Sequence, residues 1–137
     1  QIKVRYRMLY IVTALKSEAQ AFVDRYKLTK TKLSEFSVFY NESMKLIVSG
    51  IGVTNSAHAT QAFINQYDIT DEDIYLNIGI CGASNKYQLG TLLEIGNLTY
   101  NTNTLALQSS SDITLTCLDE EANNDLFDIV YGIFWIL

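Results

Sequence analysis

Proline is absent from all 137 residues, cysteine occurs only twice, and histidine and tryptophan once each. Two thiols, Cys81 and Cys117, are too few for a disulfide framework. Neither has a Cys or His close by in sequence to suggest zinc, so both read as reduced, and no metal or cofactor is expected. Basic residues are missing from the last third: Lys86 is the last of ten Lys and Arg, while residues 87–137 carry seven acids. Nucleic-acid binding draws most of its affinity from neutralised phosphates, so an acidic half without a basic cluster argues against DNA or RNA partners. No apolar run reaches the roughly 18 to 20 residues that cross a bilayer. The start also lacks the basic, apolar, small-residue order of a secretory signal. A cytoplasmic chain with no membrane partner is the expectation.

What is present fits one domain with a real core, since 48% of residues are hydrophobic. Met8 to Ala14 reads as a first buried strand, and the seven residues before Met8 read as an upstream extension, leaving 8–137 as the domain. Leu15, Ala19, Phe22 and Val23 then recur at helical spacing, which places Glu18 in the first turns of a helix. Phe36 to Tyr40 and Leu46 to Val48 flank Asn41-Glu42-Ser43 as a hairpin. A helix over Thr54 to Tyr67 follows, then a strand over Ile74 to Ile80. Leu92 to Tyr100, Ile113 to Leu118 and Leu126 to Val130 complete the strands. Such alternation predicts an α/β fold: a central, mixed and mainly parallel sheet flanked by helices in three layers.

Twice the chain makes a strand, glycine, helix or loop passage, at Lys45-Leu-Ile-Val-Ser-Gly-Ile-Gly52 and at Tyr75-Leu-Asn-Ile-Gly-Ile-Cys-Gly-Ala83. Open backbone at strand tips is how α/β proteins cradle ligands. Each residue also has a plainer reading. Glu18 in a first helical turn favours the positive end of the helix dipole without any catalysis. Gly79 and Gly82 serve a tight turn, Cys81 a small buried hydrophobe, and His58 a surface or structural position mid-helix.

Three ordered blocks shift that balance: Val12-Thr-Ala-Leu-Lys-Ser-Glu18, Ser49-Gly-Ile-Gly52, and Asn77-Ile-Gly-Ile-Cys-Gly-Ala83 with Leu89-Gly90. In order and spacing they resemble the purine nucleoside phosphorylase and nucleosidase superfamily, above all its methylthioadenosine/S-adenosylhomocysteine nucleosidase and futalosine hydrolase branches. The resemblance implies cleavage of a ribose–base N-glycosidic bond in a small-molecule nucleoside, through an oxocarbenium-like sugar and a departing base. It places Glu18 on the carboxylate that activates water, and Ala14, Leu15, Ile51, Gly79, Ile80, Cys81 and Gly82 around the substrate. It also implies a homodimer or larger homo-oligomer, for which the apolar tail Ile133 to Leu137 suits a self-association face.

Phosphorolysis needs donors for phosphate, ideally arginine, and no arginine lies beside a glycine block. Phosphorolytic relatives tend to place an arginine and a hydroxyl where this chain has Asn77 and Ile80, so water is the better nucleophile. Ile80 also departs from the serine of the methylthioadenosine branch, towards the futalosine type, which leaves the substrate open. The family's acidic ribose-binding segment and its base-protonating aspartate have no match between Phe127-Asp-Ile-Val130 and Tyr131-Gly-Ile-Phe-Trp135, which suggests a truncated chain. Asp119, Glu120, Glu121, Asp125 and Asp128 match no motif and read as a solvated face. A nucleoside phosphorylase and a non-catalytic nucleoside-binding relic remain alternatives. A dinucleotide site is disfavoured, because neither block supplies three glycines in one turn.

Overall fold

A computed structural model describes residues 7–83 and 86–118, together with the backbone of 130–132. In chain order the elements are β1 (Leu9–Thr13), α1 (Lys16–Tyr26), β2 (Thr29–Leu33), β3 (Phe36–Tyr40), β4 (Met44–Val48), α2 (Val53–Gln66), β5 (Ile74–Asn77), β6 (Asn97–Tyr100), β7 (Asn103–Ala106), β8 (Thr114–Cys117) and β9 (Val130–Gly132). They divide into two compact units that part after Gly79.

In the first unit the sheet order is β2-β3-β4-β1-β5. β1 lies parallel to both β4 and β5, with Val12 opposite Ile47 on one side and Asn77 on the other. A strand flanked on both sides and covered on both faces must be apolar on both. Leu9-Tyr-Ile-Val-Thr meets that demand, and Tyr10 to Thr13 are all buried. Its side chains alternate between two cores. Tyr10 and Val12 join Val38, Ile47, Ala59 and Phe63 beneath α2. Ile11 joins Ala19, Leu28, Phe39 and Leu46 beneath α1. The expected three layers are therefore built by one helix on each face.

The hairpin between β3 and β4 is held by Asn41, whose Oδ1 accepts from the amides of Ser43 and Met44 at 2.9 Å each. β2, which the composition does not announce, pairs antiparallel with β3. Its Thr-Lys-Thr-Lys sequence is exposed, and lysine on an outer strand discourages pairing with other chains.

Aromatic rings fill the α2 side: Tyr10 meets Phe63 edge-on at 5.6 Å between centroids and lies over Tyr75 at 6.5 Å. Tyr75 donates to Thr60 Oγ1 at 3.1 Å. Burial pushes its phenol up to about 12, against a smaller lowering by that hydrogen bond. A raised folded-state pKa stabilises fully below the unfolded value near 10, and that stabilisation is lost as pH rises towards about 12. Denaturation across this window should show a loss approaching 2 kcal/mol, smaller in Tyr75→Phe. An equal loss in the variant would refute the assignment.

In the second unit the order is β7-β6-β8-β9, with β6 parallel to β8 and antiparallel to β7. β7 occupies the polar stretch 101–111, where composition shows no strand. The turn works because Asn101 adopts φ 55°, a conformation that asparagine tolerates. The strand expected over Leu92 to Tyr100 is shorter, starting at Asn97, and Leu92 is exposed. β5 likewise stops at Asn77 rather than Ile80. The chain of β1 turns away into α1 after Thr13, and the last bond available is Ile78 N–H to Val12 O at 3.0 Å. Residues 1–6 of the expected extension, the acids from Asp119 to Asp128, the strand residues 126–129 and the tail Ile133 to Leu137 lie outside the described residues.

Candidate active site

Three parallel strands, β4, β1 and β5, end at the same edge of the first unit's sheet, and the chain leaves each of them there in a loop. β1 stands in the middle, so the turns after β4 and β5 flank the β1–α1 loop rather than adjoin each other. The carbonyls of β1 tie the three loops together. Val12 O accepts from Ile78, Thr13 O from Ser49 at 2.8 Å, and Ala14 O from Gly50 at 2.9 Å. This is the carboxyl end of a parallel sheet, where α/β proteins place their ligands.

The β4–α2 loop needs its glycines. Gly50 and Gly52 have φ of +88° and +105°, where a side chain is strained. Gly52 caps α2 with no side-chain acceptor. Asn55, one turn in, donates from its side chain to Ile51 O at 2.8 Å and so fixes the loop. Sequence reading overlooked Asn55, although an asparagine in a first helical turn is a recognisable loop-holding signal. Ile51 itself projects, 60% exposed.

α1 begins immediately after β1, with Ala14 half-buried and Leu15 at the cap. Leucine has no acceptor, so only half of a capping box forms. Glu18, at the third helical position, accepts from Leu15 N–H through Oε1 at 2.8 Å. The other oxygen lies against β5's exit: a Cβ placed on Gly79 would sit 3.2 Å from Glu18 Oε2. Glu18 is half-buried. The capping role and the orientation towards Gly79 therefore coexist in one carboxylate, one oxygen for each.

Beneath these loops, at the end of β1, Thr13 is fully buried and its Oγ1 has no partner among the described residues. A hydroxyl removed from water without a hydrogen bond costs about 1–3 kcal/mol. Thr13→Val keeps the shape and deletes that cost, so it should raise stability by about 1 kcal/mol in chemical denaturation. A lowered midpoint would mean that the hydroxyl is bonded in solution.

Structure thus brings Ala14, Leu15, Glu18, Ile51 and Gly79 to one edge of the first unit. Ile80, Cys81 and Gly82 belong to the second unit. Ile80 is 84% exposed, and Gly82 is half-buried. Cys81 is exposed rather than a buried small hydrophobe, because the ladder that would have covered it ends four residues earlier. Its thiol is still partly desolvated, which pushes its pKa upward against a smaller lowering by a backbone hydrogen bond. That direction opposes thiolate chemistry. His58 is exposed on α2. Among the described residues no group of three His, Cys, Asp or Glu is placed to hold a metal ion, and no helix is long and apolar enough to cross a membrane.

No family model and no curated protein matches the sequence. Solved structures do match. A 5′-methylthioadenosine/S-adenosylhomocysteine nucleosidase from Neisseria meningitidis, in complex with methylthio-immucillin-A, is 23% identical with a TM-score of 0.51. That match covers 69% of this chain and 40% of the other. A variant of the Chlamydia trachomatis nucleosidase is 18% identical with a TM-score of 0.66, covering 93% of this chain and 70% of that one. The Campylobacter jejuni nucleosidase is 15% identical with a TM-score of 0.61, covering 93% and 76%. The matched part of the chain spans about 40% of the length of the Neisseria protein and about three quarters of the Campylobacter one. Sheet order, flanking helices and these matches lead to one conclusion: this chain has an α/β fold like that of the solved methylthioadenosine/S-adenosylhomocysteine nucleosidases.

Proposed function

We propose that the chain is a nucleosidase that hydrolyses the N-glycosidic bond of a purine nucleoside or derivative, of the methylthioadenosine, S-adenosylhomocysteine or futalosine type. The observation that carries this reading is Glu18: a half-buried carboxylate at the carboxyl edge of parallel strands, with one oxygen anchored by Leu15 N–H at 2.8 Å and the other against Gly79. A carboxylate held this way is suited to take a proton from water as that water attacks the anomeric carbon. The C1′–N bond breaks, its electron pair leaves with the base, and the sugar passes through an oxocarbenium-like state. Ala14, Leu15 and Ile51 would line the substrate at this edge, Gly79 would border the carboxylate, and Ile80, Cys81 and Gly82 are carried in the substrate-lining role from the sequence. The fold shared with solved nucleosidases supports the reading, as does the absence of arginine from the β1, β4 and β5 exits, which disfavours tight phosphate binding.

Incubation with methylthioadenosine, S-adenosylhomocysteine, inosine and futalosine, with and without phosphate, tests it. Base release independent of phosphate is the expected result. Strict phosphate dependence would favour a phosphorylase. No release, accompanied by calorimetric binding of a nucleoside, would favour a non-catalytic binder. Assembly as a homodimer or larger homo-oligomer is part of the same proposal, and a light-scattering mass of one chain would remove it. So is a cytoplasmic location, which fractionation of cells would check.

A further inference from the structure

We propose that Gly79 is a positioning residue that sets where the Glu18 carboxylate sits, rather than a residue that acts by touching the substrate. The inference rests on the nucleosidase reading only for its kinetic arm. Two backbone neighbours bear on the carboxylate. Oε1 is held by the amide of Leu15 at 2.8 Å, and Oε2 lies where a Cβ on residue 79 would come within 3.2 Å. One end is the loop that leaves β1 for α1, and the other is the exit of β5, the strand that pairs in parallel with β1. Ile78 N–H reaches Val12 O at 3.0 Å, one residue before Gly79 and two strand positions before the β1–α1 loop. The gap between Leu15 N–H and the backbone of residue 79 is thus narrow, and a carboxylate fills it without shifting only if residue 79 has no side chain. Gly79 does not need its hydrogen for backbone freedom, because its φ lies outside the left-handed region. What remains for the missing Cβ to explain is the neighbouring oxygen.

A methyl group at 79 would push Oε2 aside by a few tenths of an ångström against the Leu15 anchor. Small displacements of a catalytic group lower turnover steeply, whereas the loops that hold the substrate stay in place. Gly79→Ala should therefore lower kcat by about fivefold to tenfold with KM changed by less than about twofold. A raised KM with unchanged kcat would instead make Gly79 a substrate contact and overturn the proposal.

The second arm needs no activity at all. The cost of Gly79→Ala, read from denaturation, is measured in three backgrounds. It should be the same with Glu18 as with Glu18→Gln, since glutamine has the same shape. With Glu18→Ala it should largely vanish, a coupling of about fivefold in the unfolding equilibrium constant. Equal cost in all three backgrounds would show that residue 79 does not sense the carboxylate, and would overturn the proposal. If no nucleoside is cleaved but the coupling is found, the positioning stands and the nucleosidase reading alone fails.

Discussion

Glu18→Gln should lower base release by about 10²- to 10⁴-fold, the range expected when a positioned general base is lost, while leaving the folded chain as stable as before. The two halves of that expectation come from different oxygens. Glutamine retains a carbonyl oxygen that accepts from Leu15 N–H, and capping boxes use Glu and Gln alike. Denaturation midpoints should therefore agree within about 0.5 kcal/mol. Glutamine cannot take a proton from water, however, so turnover is lost. Glu18→Ala removes the cap as well and should cost about 1 kcal/mol on top of the lost activity. If Glu18→Gln retains wild-type turnover, Glu18 is only a helix cap and the nucleosidase reading loses its base. If Glu18→Gln unfolds, the hydrogen bond to Leu15 depends on the charge rather than on the shape.

Much of this edge was legible in the sequence because its signals are local. A buried parallel strand reads as an unbroken apolar run, as Leu9 to Thr13 does. A glycine with positive φ followed by a helix reads as it stands in Ser49-Gly-Ile-Gly52. Glu18 was legible as an acid favoured in a first helical turn and, by resemblance, as a water-activating carboxylate; the geometry adds the bond to Leu15 N–H and the approach to Gly79. The second unit was harder to read. Neither face of β7 is buried, with all four residues exposed, so the chain carries no period-two pattern there to betray a strand. Its partner strand β6 looked longer than it is, because Leu92 and Leu93 are apolar without pairing. Cys81 misled for a related reason. Thiols are usually buried, but β5 ends when β1 turns away, and no feature of residues 74–83 records where a neighbouring strand stops.

The close approach at Gly96 was likewise invisible, yet a methyl group added there should affect folding more than one added at Gly50, Gly52, Gly79 or Gly90. A Cβ on Gly96 would lie 1.7 Å from Ser111 O and 2.6 Å from Ser111 C. Both are main-chain atoms, so no rotamer change relieves the overlap, and one backbone must move. The segments that would move are the ones that join the sheet. Gly96 N–H donates to Ile113 O at 2.8 Å, Gly96 O accepts from Leu107 N–H at 2.8 Å, and Asn97 N–H reaches the same Ile113 carbonyl. Separating the chains by enough to fit a methyl group would break the start of β6's pairing with both β7 and β8. Overpacking alone costs about 1–3 kcal/mol, and each hydrogen bond lost adds about 1 kcal/mol. Gly96→Ala should therefore cost about 4 kcal/mol, a large share of the 5–15 kcal/mol typical of a whole domain. Gly52→Ala is the informative contrast. There, no atom lies within 4 Å of the added Cβ, and only the φ of +105° resists it. With ψ at 158° this is backbone open essentially to glycine alone, and such strain costs about 1–3 kcal/mol. Chemical denaturation of the two variants should thus rank Gly96→Ala well below Gly52→Ala. The reverse order would mean that Ser111 does not pack against Gly96, and the register joining β6 to β8 would have to be redrawn.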